Sequence, residues 1–284
     1  MKSTYLFIFS IICAVNPFGL MAQNDTIYYN VSAISSTVPN AYAMGRFGTV
    51  GVSGNMLSTT RLSDKAWDPD ANGVFSVGLG NPEQYVGIDL RVNIYGTSST
   101  YGEKSNLGEG TFEIHLNRKL KNNLWWAVGG YDLFGWHTSE INQLQSYYTS
   151  LTGVLSLKEG KTGAFSALWL TLGLGNGRFR TDKNYDLPKS GKFNVFASAA
   201  MQILPRANFI AEWSGYGIYT GISFVPIKKW PFQMIIGGDD LSNNQRRVVL
   251  GAALGLNLKK KNIDGASNQS FYLPVPSPPQ SSRL

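Results

Sequence analysis

The chain has 284 residues with a formal charge of +7, yet only 15% of them are charged and 31 are glycine. A typical soluble domain carries about 25% charge and about 7% glycine. An apolar share of 43% excludes a disordered chain, and one cysteine with two histidines excludes a disulfide scaffold or a cysteine-based zinc module.

Residues 1–22 read as a secretory signal peptide. Lys2 gives the basic start and Tyr5 to Val15 is an uncharged apolar run. Leu20-Met21-Ala22 precedes Gln23 as a cleavage point, although Leu20 is bulkier than the usual residue there. The other reading of this segment is an uncleaved anchor, against which stands the lack of a basic stop-transfer flank. Cys13 lies inside the segment, and Ile12 before it is too bulky for a lipoprotein cleavage site.

Beyond Gln23 no run of about 18 apolar residues could cross a bilayer as a helix. The recurring period is two. Val86, Ile88, Leu90, Val92 and Ile94 alternate with Gly87, Asp89, Arg91, Asn93 and Tyr95. Phe112, Ile114 and Leu116 alternate with Glu113, His115 and Asn117. Similar runs occupy 168–175, 193–203 and 248–258. Successive side chains on a strand point to opposite faces, so each run has one apolar face and one polar or small face. A soluble sandwich buries the apolar face; a transmembrane barrel turns it to lipid. The runs exceed the usual 5 to 6 residues of soluble strands, they are many, and the chain carries an export signal. The expected fold is all-β, an antiparallel transmembrane up-and-down barrel of about twelve strands.

Strand starts are predicted near Arg46, Gly73, Tyr85, Gly110, Asn123, Tyr147, Thr162, Lys192, Asn208, Gly217, Pro231 and Arg247. Short links at Asn81-Pro82-Glu83, Lys121-Asn122, Glu159-Gly160-Lys161, Pro205-Arg206 and Lys228-Lys229-Trp230 alternate with longer polar ones. Short periplasmic turns opposite longer outer loops are the pattern of outer-membrane barrels. Ser214-Gly215-Tyr216 is a tight exception on the outer side. An even strand count puts both barrel ends in the periplasm. Residues 23–45 then form a periplasmic segment or a plug, 46–259 the barrel, and 260–284 a Pro/Ser-rich tail with Pro274, Pro276, Pro278 and Pro279.

Gly78-Leu79-Gly80 invites a phosphate-loop reading, but no helix or closing Lys-Ser/Thr follows, so it reads as strand and tight turn. The segments GVFSVGLGNPEQYVGIDLRV, LWLTLGLGNGRF and NFIAEWSGYGIYTGISFVP resemble bacterial outer-membrane β-barrel proteins of a porin-like kind. The resemblance covers roughly Ala43 to Leu258. It implies about twelve strands and carries no activity to transfer.

The inward face is expected to hold Asp89, Arg91, Glu113, His115, Asn117 and Glu212. They form either a charged constriction or a salt-bridge network within the wall. Small inward residues at Gly251, Ala253 and Gly255 leave room for water or for a folded-in plug. The short-turn rim is basic through Arg118, Lys119, Lys121, Lys158, Lys161, Arg206, Lys228 and Lys229. It suits interfacial anchoring or an anionic periplasmic partner. Trp125, Trp169, Trp213 and Trp230 are assigned to the aromatic girdles at the membrane interfaces. No serine accompanies His115 and Asn117 in sequence, and in His137-Thr138-Ser139 adjacent side chains face apart if the loop start is extended. No catalysis is therefore expected, and an outer-membrane hydrolase is the lesser reading. No metal or cofactor is implied, and an exported chain has no call on nucleic acid. The expected partners are outer-membrane lipid and small solutes. The expected function is a small porin-like channel; the alternative is a closed barrel with a structural, docking or envelope-assembly role.

Overall fold

A computed structural model describes residues 32–42, 45–59, 67–95, 109–121, 123–136, 145–158, 163–181, 192–227, 230–242 and 246–258. The predicted signal peptide and Pro-rich tail lie outside the described residues, as does His137.

Twelve strands close into one antiparallel barrel. They are β1 (Thr49–Leu57), β2 (Asp70–Gly80), β3 (Gly87–Tyr95), β4 (Glu109–Lys121), β5 (Leu124–Trp136) and β6 (Ser146–Ser156), then β7 (Ala167–Gly175), β8 (Asn194–Leu204), β9 (Ala207–Trp213), β10 (Ile218–Phe224), β11 (Phe232–Asp239) and β12 (Arg247–Asn257). Each pairs with its sequence neighbours, and β1 pairs with β12 from Thr49↔Asn257 to Leu57↔Val249. Eleven strands begin within three residues of the predicted starts; β7 begins later, at Ala167. The β6–β7 link, read as three residues from sequence, runs from Leu157 to Ser166. The other links fall as predicted, with most short turns on one rim and the longer loops on the other. The tight link between Trp213 and Ile218 stays the exception on the long-loop rim, and the β6–β7 link is the long one on the short-turn rim. Among the described residues no helix is long and apolar enough to cross a membrane.

Burial alternates as the period-two pattern requires. In β3 the outward Leu90 is 42% exposed, while the inward Asp89 and Arg91 are each 4% exposed. Leu172, Val195, Ile222, Ile236 and Leu250 continue an apolar outer face around the barrel. So broad an apolar surface is stable against hydrocarbon and not against water. This is an outer-membrane-type barrel.

The inward face is filled. Large rings sit where neighbouring strands offer glycine. A Cβ at Gly173 would run into the Phe196 ring, and one at Gly129 into Tyr148. One at Gly221 or Gly237 would meet the Tyr219 hydroxyl. Gly251, Ala253 and Gly255 also face inward and are buried.

Trp125 and Trp169 overturn the girdle assignment. They are 4% and 1% exposed and belong to the interior cluster. Both occupy inward positions in their strands, where the alternation outweighs the interfacial preference of tryptophan. Trp213 and Trp230 are exposed, at 41% and 61%, as a girdle role requires.

Candidate functional site: an occupied lumen

Residues 32–42 lie inside the barrel. All of them are buried except Thr37, which is half-buried. The segment has no regular secondary structure. Its N–H and C=O groups therefore need partners supplied by the wall, because an unpaired buried backbone group is costly.

The wall supplies them in sequence. Near the short-turn ends of β9 and β10, Asn208 Nδ2 donates to the Ser32 and Ala33 carbonyls at 3.0 and 3.1 Å. The Ser223 hydroxyl lies 2.6 Å from the Ala33 carbonyl. Ser198 Oγ donates to the Ile34 carbonyl at 3.3 Å. Nearer the long-loop rim, the Ser36 and Thr37 N–H groups donate to the two carboxylate oxygens of Glu212 at 2.9 and 2.6 Å. The Thr37 hydroxyl adds a bond to Glu212 Oε2 at 2.8 Å. The chain bends through Ser36, Thr37 and Val38 just ahead of Pro39. Asn40 Nδ2 donates to Ser35 Oγ at 2.9 Å, and the Tyr42 N–H donates to Asn40 Oδ1 at 3.1 Å. On the way back the Ala41 N–H donates to Thr152 Oγ1 at 2.8 Å, and Asn117 Nδ2 donates to the Ala41 carbonyl at 3.1 Å. The Tyr42 ring meets Trp125 edge-on at 5.3 Å. The segment thus rises along β8–β10 and descends along β4–β6. It leaves at Gly45, whose carbonyl accepts the Ile88 N–H at 3.1 Å. Gly45 has φ +67°, and a Cβ there would collide with the β3 backbone.

Apolar contacts complete the filling. Ile34, Ala41 and Tyr42 join the interior cluster that holds Trp125, Trp169 and Tyr219. Val38 joins Tyr131, Tyr148, Phe179 and Phe196 nearer the long loops. Phe179 comes from a short 3₁₀ turn, Gly177–Phe179, in the β7–β8 connection, and it stacks on Phe196 at 4.5 Å. Burying Ile34 and Val38 contributes about 1.5–3 kcal/mol each.

Five of the six predicted lumen residues sit on the wall formed by β3 and β4, and three of these form a charged network. Arg91 Nε bonds Asp89 at 2.6 Å and its NH1 lies 3.8 Å from Glu113. Glu113 also accepts a bond from Asn93 Nδ2. His115 Nδ1 meets the Tyr148 hydroxyl at 2.7 Å, so this imidazole is paired with a phenol. Asn117 and Glu212 are tied to the inner segment and stand apart from that network.

Two members were not legible from sequence. Asp132 falls where the β4–β5 register shifts between Phe112 and Ile114, and it has φ +56°. The shift turns Asp132 inward next to Tyr131, where strict alternation would have sent it out. It accepts bonds from Tyr95 and Thr111 at 2.9 and 2.8 Å. Arg178 reaches it from the 3₁₀ turn at 3.0 Å and lies 4.1 Å above the Tyr131 ring. Burial alone would make Arg178 easier to deprotonate. Asp132 and its neighbours outweigh that and hold the guanidinium more firmly charged than usual. Gly129-Gly130 just before Tyr131 was the signal that could have marked the irregularity. A second pair, Arg247 with Asp239 at 2.5 Å and Asp240 at 3.4 Å, holds the long-loop end of β11–β12.

The basic rim is partly described. Lys121 and Lys158 are exposed, and Arg206 is half-buried. Lys119 is half-buried, with its ammonium 5.4 Å from the Trp125 ring centre. Lys161, Lys228 and Lys229 lie outside the described residues. Among the described residues no cluster of His, Cys, Asp or Glu has the makings of a metal site.

No protein-family model matches the chain, and no curated protein matches it. Among solved structures it is similar to Ail, the attachment invasion locus protein of Yersinia pestis, at 9% identity. That match covers 74% of this chain and 100% of the other, with a TM-score of 0.20. At that score the likeness carries no argument.

Proposed function

We propose that this outer-membrane-type barrel is a porin-like channel for small polar solutes, stoppered at rest by residues 32–42. The observation that carries the reading is Glu212. It is a carboxylate 3% exposed on the inner wall. Its bonds come mainly from Ser36 and Thr37 of the inner segment, with the Ser198 hydroxyl on β8 beside them, and among the described residues no cation pairs with it. A buried carboxylate without a cation is stable only while such donors hold it. When the segment leaves, water must take their place. The wall is suited to water. Ser53 Oγ and both polar atoms of Asn72 face inward without a protein partner. A core built to stay packed would carry apolar residues at such positions.

The experiment is planar-bilayer conductance of the full chain carrying Cys13→Ser, Ala41→Cys and Thr152→Cys. Ala41 and Thr152 are in contact, so oxidation tethers the segment to the wall. Silence when oxidised and discrete conductance steps when reduced support the channel. Silence in both states, with heat-modifiable migration intact, would favour a closed barrel with a structural or docking role. The close packing around Phe179 and Phe196 is the feature that favours this second reading.

A further inference from the structure

The wall's contacts with residues 32–42 share one property. Most of them are to main-chain atoms. Asn208, Ser223, Ser198 and Asn117 address carbonyls, while Glu212 and Thr152 address N–H groups. Side chains of the segment that bond the wall include the hydroxyls of Ser32 and Thr37, and the Ser36 hydroxyl lies beside Tyr219. Residues 26–45 contain no charged side chain, and Ser32, Ala33, Ser35 and Ser36 are small.

A site that reads backbone amides does not specify the sequence of its occupant. It specifies a course that rises along one wall and returns along the other, small side chains and free N–H groups at fixed places. We infer that the lumen is a binding site for an uncharged, bent, predominantly small-residue peptide, which residues 32–42 occupy in cis and a separate peptide can occupy in trans. The inference rests on the segment being displaceable, as the channel reading requires. It goes further by naming what the emptied wall recognises.

The arrangement of donors and acceptors argues for a peptide over a sugar or an ion. Glu212 presents two oxygens to two successive N–H groups. Asn208 presents one amide to two successive carbonyls. Such pairs match the spacing of consecutive residues in a polypeptide. The wall bonds run from Asn208 through Glu212 to Asn117, and so span the whole course of the segment. A polyol's hydroxyls could satisfy Glu212, but a polyol has no alternating N–H and C=O groups to meet Glu212, Asn208, Thr152 and Asn117 in register along the segment's course.

The test uses the full chain with Ser36→Pro and Thr37→Pro. Proline has no N–H, so both bonds to Glu212 are lost while the strand ladder is untouched. The probe is a fluorescent synthetic peptide with the sequence of residues 30–44, added to the detergent-solubilised barrel and followed by anisotropy. It is expected to bind the double-proline chain at least roughly tenfold more tightly than the unaltered chain, whose own segment competes. The same peptide N-methylated at the positions of Ser36 and Thr37 is expected to lose at least roughly tenfold in affinity. A peptide that keeps Ile34, Val38, Pro39 and Tyr42 in place but permutes the small residues among the remaining positions should keep most of the affinity.

The oxidised Ala41→Cys/Thr152→Cys chain, whose barrel is unaltered in its ladder, should bind none of these peptides. Equal binding of the N-methylated peptide overturns main-chain recognition. No binding by a double-proline chain that conducts overturns the peptide site and leaves the channel standing. No binding by a chain that neither conducts nor loses its heat-modifiable fold overturns both.

Discussion

Glu113 on β4 and Glu212 on β9 make an instructive pair. Both are inward carboxylates on strands of one barrel, and both are almost fully buried, at 5% and 3% exposed. Their partners differ. Glu113 faces Arg91 and Asn93 on the neighbouring strand, groups that cannot leave without unfolding the sheet. Glu212 holds the amides of a segment that belongs to no strand. One charge is part of the wall and the other is part of a contact between the wall and a separable piece. The difference teaches that inward position alone does not decide what a polar residue does. The location of its partner does.

The comparison breaks most visibly at Arg91. Replacing it by methionine leaves Asp89 buried without its guanidinium and Glu113 with Arg178 as its remaining cation, a loss of about 3–5 kcal/mol in barrel stability. The urea midpoint of heat-modifiable migration reads this directly, and an unchanged midpoint would remove the β3–β4 network from the fold's supports.

Glu212→Leu is the counterpart. Its effect on the same midpoint should stay within about 1 kcal/mol, because the amides it releases belong to the separable segment and the one cross-strand bond lost is that of the Ser198 hydroxyl. Hydrogen exchange at the Ser36 and Thr37 amides should instead quicken by roughly tenfold or more as their acceptors vanish. If the midpoint falls as far as in Arg91→Met, the two carboxylates are not distinct in role.

Smaller still is Tyr148→Phe, which removes the hydroxyl bonded to His115 and should cost about 1 kcal/mol while leaving conductance as it was. Lys121→Ala, on the exposed short-turn rim, sets the floor, with an expected change within about 0.5 kcal/mol. A larger effect there would give the rim a role in the fold.

The barrel was legible in the sequence because its constraint is periodic. Lipid on one side and a lumen on the other impose an alternation that a reader can count, and it placed Asp89, Arg91, Glu113, His115, Asn117 and Glu212 on the correct face. What the alternation could not tell is where it is interrupted. Asp132 enters the lumen through a register shift, and Arg178 comes from a loop that no periodicity governs. Nor could it rank tryptophan. Trp125 and Trp169 follow the phase of their strands, although their residue type argued for the interface. The occupancy of the lumen was the least legible feature. Residues 32–42 are held by hydroxyls and amides far away in the chain, a relation that no local pattern records.

The seam between β1 and β12 has a bearing on how the molecule is made. It joins Thr49 to Asn257, the two ends of the sheet, and no shorter pairing closes the ring. Contacts of such wide sequence separation form late, because the loop they close is long. The inner segment is tethered directly ahead of β1, only a few residues from that seam. A sheet still open along this edge is a trough, and the segment can lie down in it from the side. Once the edges zip together the same piece has only the ends of the cylinder to pass through. Assembly therefore has a natural order in which the contents are loaded first and the vessel is sealed around them.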